Sequence, residues 1–129
     1  MTTAPLVSIV IPVFNDEATI SAALESCLAQ TLSEIEVICV DDASTDGTVA
    51  VIERFSARDP RVRLITHERN LSALQSRRTG ILDAAADSIL FLDGDDELAP
   101  DAAQKAATRA EATAADLVGF GVTVVDAHG

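Results

Sequence analysis

Three short clusters in this sequence carry residue types that can do chemistry. The first is Asp93-Gly94-Asp95-Asp96, directly after the apolar run Ile89-Leu90-Phe91-Leu92. Crowded acids repel one another, and some then retain protons. A hard divalent cation relieves that repulsion. Mg2+ and Mn2+ prefer oxygen ligands and take few protein carboxylates, leaving positions for substrate phosphates. Gly94 lets the backbone approach a ligand closely. The plainer alternative is an acidic helix cap ahead of Pro100, and an Asp-x-Asp alone does not choose between the two. An EF-hand is excluded. That loop needs Gly at its sixth position and Glu at its twelfth, and counting from Asp93 these are Leu98 and Gln104.

The second cluster is Asp41-Asp42-Ala43-Ser44-Thr45-Asp46. Ser44 or Asp46 can cap a following helix. The Asp pair stands where a carboxylate can accept the N–H of a nucleobase or paired hydroxyls. The third cluster is Arg77-Arg78. Helical spacing from Leu71 and Leu74 places Arg78 on the apolar side of its helix and Arg77 at the edge. An arginine on a buried side needs a partner. Either a core-edge acid or a diphosphate fills that role, and spacing does not decide which.

These clusters are positioned by a regular alternation. Leu6 to Phe14 is a β-branched apolar run that predicts a buried strand. Ile20, Ala23, Leu24, Cys27 and Leu28 recur at helical spacing, with Asn15 or Asp16 placed to cap. Ile35 to Val40 predicts a second strand. A helix follows with Thr48, Val51, Ile52 and Phe55 on one face and Asp46 near its start. Asp59-Pro60 marks a turn before a third strand, Val62 to Thr66. Leu71, Leu74, Ile81, Leu82 and Ala85 are expected to line a third helix. Ser88 to Leu92 predicts a fourth strand, Ala102 to Ala114 a helix begun near Pro100-Asp101, and Leu117 to Val125 a last strand. Strands alternating with helices predict an α/β fold: a Rossmann-like, three-layer α/β/α arrangement with a mostly parallel sheet. Such sheets bind ligands at the carboxyl ends of their strands. Asn15-Asp16, Asp41-Asp42 and Asp93 to Asp96 each follow a strand, so three segments place acids on one edge.

Composition narrows the function classes. The chain has 129 residues, which fits one domain spanning 1–129, and it is 48% hydrophobic. Its net charge of −12 argues against nucleic acid as a partner. Seven arginines fall within residues 54–78, between two acidic flanks. No apolar run approaches the ~20 residues that span a bilayer. The start, Met1 to Pro5, has no signal-type stretch, so a cytoplasmic domain without a membrane segment is expected. Cys27 and Cys39, among apolar neighbours, read as reduced core thiols.

The ordered set of motifs resembles the inverting family 2 glycosyltransferases, which have the A-type glycosyltransferase fold. The resemblance lies in Val7 to Asn15, Ser26 to Thr31, and Glu36 to Asp46. It continues through Asn70, Arg77, Gly80, Phe91 to Asp96 and Pro100. It implies a nucleotide-sugar donor, a UDP-sugar by preference, held with Mn2+ or Mg2+, and a saccharide or other hydroxyl acceptor. It further implies that Pro12, Val13, Phe14 and Asn15 line the nucleoside pocket. Asp42 then binds the base with Asp41 beside it, Arg77 lies by the nucleotide, and Asp93 approaches ribose or metal. Asp95 ligates the metal, with Asp96 as adjacent support. The sequence departs from the family where Ser72, Ser76 and Arg78 replace Gly, Ala and Asn. Family members continue into an acceptor-binding half that supplies a carboxylate base. The chain is therefore expected to be a truncated, donor-binding piece without a catalytic base, and such a piece can self-associate through an exposed sheet edge and apolar surface.

Rival readings weigh less. A phosphohydrolase built on Asp-x-Asp needs a downstream lysine, and only Lys105 is available. A dinucleotide-binding module needs a Gly-rich first turn, which Pro12 to Asn15 is not. A non-catalytic nucleotide-binding or assembly module remains the main alternative.

Overall fold

The computed structural model describes residues 4–113, with side chains described through Arg109. The elements are β1 (Val7–Val13), α1 (Ile20–Leu28), β2 (Ile35–Asp41), α2 (Thr48–Arg58), β3 (Val62–Thr66), α3 (Ala73–Asp83), β4 (Ser88–Phe91) and α4 (Ala102–Thr113). The four strands form one sheet in the order β3-β2-β1-β4. Every pairing is parallel, with Val7 opposite Ile35 and Ser88, and Val37 opposite Val62. The α/β fold expected from the alternation is thus the fold observed. The expected strand over Leu117 to Val125 lies outside the described residues. Among the described residues, no helix is long and apolar enough to cross a membrane.

Both faces of the sheet are covered, so β1 and β2 are buried at every residue. Val7, Ile9, Ile11 and Val13 share one core with α1 (Ile20, Ala23, Leu24, Cys27), α2 (Val51, Ile52, Phe55) and α4 (Ala102, Ala103). Strand side chains alternate between faces, so Ser8 and Val10 point the other way, towards α3. Cys27 and Cys39 are buried free thiols, as expected. Burial pushes the Cys27 thiol up to about 12 and the Cys39 thiol higher still, which keeps both inert.

The third helix differs from its expected form. It starts at Ala73 and buries Ser76 and Gly80. The leucine stripe faces outward: Leu71, Leu74, Ile81 and Leu82 are 39%, 71%, 45% and 76% exposed. Arg78, expected on the apolar side, is exposed as well. The reason is distance. A Cβ built on Gly80 would stand 2.3 Å from Val10 Cγ1. Only small side chains let α3 lie so close to the sheet, and hydropathy ranks them below the leucines. Behind this helix a polar knot fixes the connection to β4. Glu36 accepts from the Ser8 hydroxyl (2.5 Å), the Ala85 amide (2.6 Å) and Arg63 (2.8 Å), while the Ala86 amide donates to Ser8 Oγ (3.1 Å).

The helix starts also differ in detail. No side chain caps α1. The Asp16 carbonyl accepts from the Thr19 and Ile20 amides instead, and the Asp16 carboxylate takes the Phe14 amide. At α2 the N-cap position is Gly47, and Asp46 one place before it accepts the Thr48 amide at 3.0 Å. Ser72 precedes α3 with φ at 108°, a conformation that favours glycine.

Two substitutions test this packing. Gly80→Ala should destabilise the domain by about 2 kcal/mol through overpacking against Val10, read as a lowered denaturant midpoint. Ser72→Gly should exceed Ser72→Ala in stability by about 1 kcal/mol, because alanine is strained at that φ and glycine is not. Equal midpoints for the two Ser72 variants would contradict the strain.

Candidate functional site

The parallel register brings the ends of β1, β2 and β4 side by side. Val13 pairs with Asp41, and beyond the pairing the Asp42 amide donates to Val13 O (2.9 Å). The Leu92 amide donates to Val10 O (3.1 Å), carrying the chain into Asp93. A cavity of about 300 Å³ opens at this edge. Its walls are Pro12, Val13, Phe14 and Asp16 after β1, Asp42 after β2, Ala73 and Ser76 on α3, and Asp93, Gly94 and Asp95 after β4.

The loop after β4 is held from below by α1. Thr19 Oγ1 donates to Gly94 O (2.9 Å). Ser26 Oγ accepts from the Leu98 amide (3.0 Å). Gln30, only 7% exposed, donates to Ala99 O (2.8 Å) and accepts from the Ala103 amide (2.9 Å). The Ser26 to Thr31 stretch is therefore a brace for the acidic loop. Gly94 is needed for closeness: a Cβ there would stand 2.4 Å from Asp16 Oδ2. Asp93, Asp95 and Asp96 each offer a carboxylate oxygen, and the three lie within 4.8 Å of one another.

The electrostatics at this edge are strongly negative. Burial, followed by repulsion from Asp95 and Asp93, raises the Asp96 carboxyl above the usual range. Asp16 is raised as well, first by burial, with Asp95, Asp46 and Asp93 adding to it against the Phe14 amide. Arg77 is the counter-charge, reaching Asp93 at 3.4 Å with 39% of its side chain exposed. Asp42 behaves oppositely. Burial alone would raise it, but His67 and the Leu71 and Ser72 amides outweigh burial and hold it below the ordinary carboxylate range.

The residues singled out in the sequence divide by position. Pro12, Val13, Phe14, Asp42, Asp93 and Asp95 meet around the cavity, and Asp96 stands beside Asp93 and Asp95. Asn15 is turned into a clamp between loops: its amide donates to Ser44 Oγ (2.9 Å) and its Oδ1 accepts from the Thr45 amide (2.8 Å). Asp41, 2% exposed, accepts from the Ser44 amide and hydroxyl. Sequence reasoning put Asp16 on this edge without giving it a role in the site, and it missed the brace from Gln30 and His67. His67 was visible as the first residue after the third strand, on the same edge as the acids.

A family model described as "Glycosyl transferase family 2" matches residues 8–129. A Bacillus subtilis (strain 168) protein named "Uncharacterized glycosyltransferase EpsJ" is 40% identical over 117 residues, covering 91% of this chain and 34% of that protein. The chain thus spans about a third of the length of the curated relatives it matches. Among solved structures, S. aureus TarS 1-349 in complex with UDP superposes with a TM-score of 0.75 at 28% identity, over 82% of this chain and 32% of that one. The mannosyltransferase PcManGT from Pyrobaculum calidifontis, in complex with GDP-Man and Mn2+, gives 0.69 at 25% identity, over 77% of this chain and 30% of that one. The ordered motifs, the parallel sheet with its acidic edge, and a family match running from β1 to the end of the chain agree: the chain belongs to glycosyl transferase family 2.

Proposed function

We propose that this chain is the donor-binding part of a metal-dependent, inverting glycosyltransferase that takes a sugar from a UDP-sugar to a hydroxyl acceptor. One observation carries the reading: a single cavity joins the β1 and β2 strand ends, with the Asp42 carboxylate, to the acids after β4. A nucleoside diphosphate has the same polarity along its length, a base that seeks hydrogen bonds at one end and phosphates that seek cations at the other. The bound UDP of the TarS neighbour and the Mn2+ of the mannosyltransferase neighbour support both ends.

The carboxylates fit a hard cation. Ligand oxygens around a magnesium ion at about 2.1 Å lie about 3–4 Å apart, and the three carboxylate oxygens lie within 4.8 Å of one another. Asp95 and Asp93 would hold the ion, with Asp96 beside them. When bound, it neutralises the diphosphate and eases its departure with the nucleotide. Pro12, Val13 and Phe14 wall the nucleoside end, and Asp42 accepts a ring N–H. Arg77 would turn from Asp93 to a phosphate oxygen. Inversion requires an acceptor hydroxyl to attack opposite the leaving diphosphate, aided by a base; no described residue is assigned that role.

The phosphohydrolase reading finds no footing here, since Lys105 on α4 pairs with Asp101 just ahead of that helix and is 67% exposed. Calorimetric titration with UDP, with and without Mn2+, tests the proposal. Mn2+ should tighten UDP binding about tenfold or more, and Asp95→Ala should abolish that gain. UDP binding indifferent to both would contradict it. The chain alone should not transfer sugar, and sustained transfer to an acceptor would overturn the donor-only assignment.

A further inference from the structure

We propose that His67 is a positioning residue that fixes the Asp42 carboxylate for base selection, so that the site prefers bases presenting a ring N–H over bases presenting a bare ring nitrogen. The inference rests on the donor-site reading above. It goes beyond that reading by naming the group that makes Asp42 selective.

The case is one of hydrogen-bond accounting. An ionised carboxylate only accepts, with about four lone-pair sites. On Asp42, Oδ1 takes the Leu71 amide (2.8 Å) and His67 Nδ1 (2.9 Å), and Oδ2 takes the Ser72 amide (2.9 Å). Three sites are filled by one segment of chain, and one on Oδ2 remains. Asp42 is also a wall of the cavity, so the remaining site is the one a ligand can use. Because the carboxylate cannot donate, His67 Nδ1 must carry the proton of their contact.

The imidazole is itself held on its far side. Its Nε2 lies 2.9 Å from Thr79 Oγ1 on α3, and the one proton of that hydroxyl is shared between Nε2 and Gln75 O, also 2.9 Å away. The His67 amide donates to Asp41 O (2.8 Å). The ring is thus locked between the end of β2 and the first turns of α3, with 9% of its side chain exposed against 5% for Asp42. Without it, two amides would still hold Asp42, but Oδ1 would lose its side-chain donor and could turn towards the ligand. An ordered lone pair rejects a base whose facing ring nitrogen is also an acceptor, because two acceptors then oppose each other. Uracil and guanine present a ring N–H at that edge, whereas cytosine presents a bare nitrogen.

The test is the ratio of UDP to CDP affinity, measured by titration with Mn2+ present. The chain should favour UDP, and His67→Ala should cut that preference about tenfold, in line with the loss of one charge-assisted bond. His67→Asn, whose amide N–H can stand where Nδ1 stood, should restore most of it. Thr79→Val removes only the outer clamp and should give a smaller loss, which keeps the test open if His67→Ala does not fold. Parallel weakening of UDP and CDP with an unchanged ratio would reduce His67 to a structural role and overturn the inference. So would equal UDP and CDP affinity in the unaltered chain. If the unaltered chain binds UDP and every variant keeps its preference, this inference fails alone. If the unaltered chain binds neither nucleotide, the donor-site reading fails as well.

Discussion

Strand β1 is hydrogen-bonded along one edge to β2 and along the other to β4, both parallel to it. That pairing is the constraint on which the rest depends. Parallel strands in register end on the same side of the sheet, so whatever follows each strand in sequence is delivered to one edge. Here the deliveries are Phe14 to Asp16, Asp41-Asp42 and Asp93 to Asp96. Nothing else is needed to gather acids from chain positions as far apart as 16 and 95. The pairing in turn needs both faces covered, because a parallel sheet is stable only when buried. Helices α1, α2 and α4 supply one cover from aliphatic side chains, and α3 supplies the other.

Gathering acids in this way costs free energy. Asp16 and Asp96 are both pushed towards the protonated state by burial and by neighbouring acids. Such a site is held in place rather than stabilised by its own contents. The holding is done by Thr19, Ser26 and Gln30 on or beside α1, which anchor the backbone after β4. Asp42 differs from these two, since its donors make the charged form favourable. The sign follows from linkage. A carboxyl depressed in the folded state contributes stability above its unfolded value of 3.8. That contribution is lost as pH falls through the folded value. The two ends of the cavity thus differ in kind: at one an acid is satisfied by donors from the protein, and at the other neighbouring acids repel one another.

Much of this was legible in the sequence, for reasons of chemistry. Apolar β-branched runs ending in acids, as at Val40-Asp41, announce both a strand and the polarity of its end. The ordered motifs from Val7 to Pro100 also marked the family. The face of α3 was not legible. Leu74 and Leu82 read as core by hydropathy, yet the helix meets Val10 so closely that Ser76 and Gly80 must face it. Asn15 and Asp41 show a second limit. Sequence places them at strand ends, but only the folded chain shows that Ser44 and Thr45 engage their side chains first. His67 illustrates a third. A single histidine carries no spacing pattern, and its meaning appears only with Asp42 and Thr79 on either side.

The central claim is that one edge of this sheet holds a divalent cation and a nucleotide diphosphate together. Paramagnetic relaxation measured amide by amide, with Mn2+ added in the presence of UDP, addresses it most directly. The account predicts the strongest broadening at Gly94, Asp95 and Asp96, with Thr19 and the start of α3 next, and UDP-induced shifts at Val13, Phe14 and Asp42. Broadening spread evenly over surface acids such as Glu25, Glu34 and Glu53, with the strand ends unaffected, would contradict it.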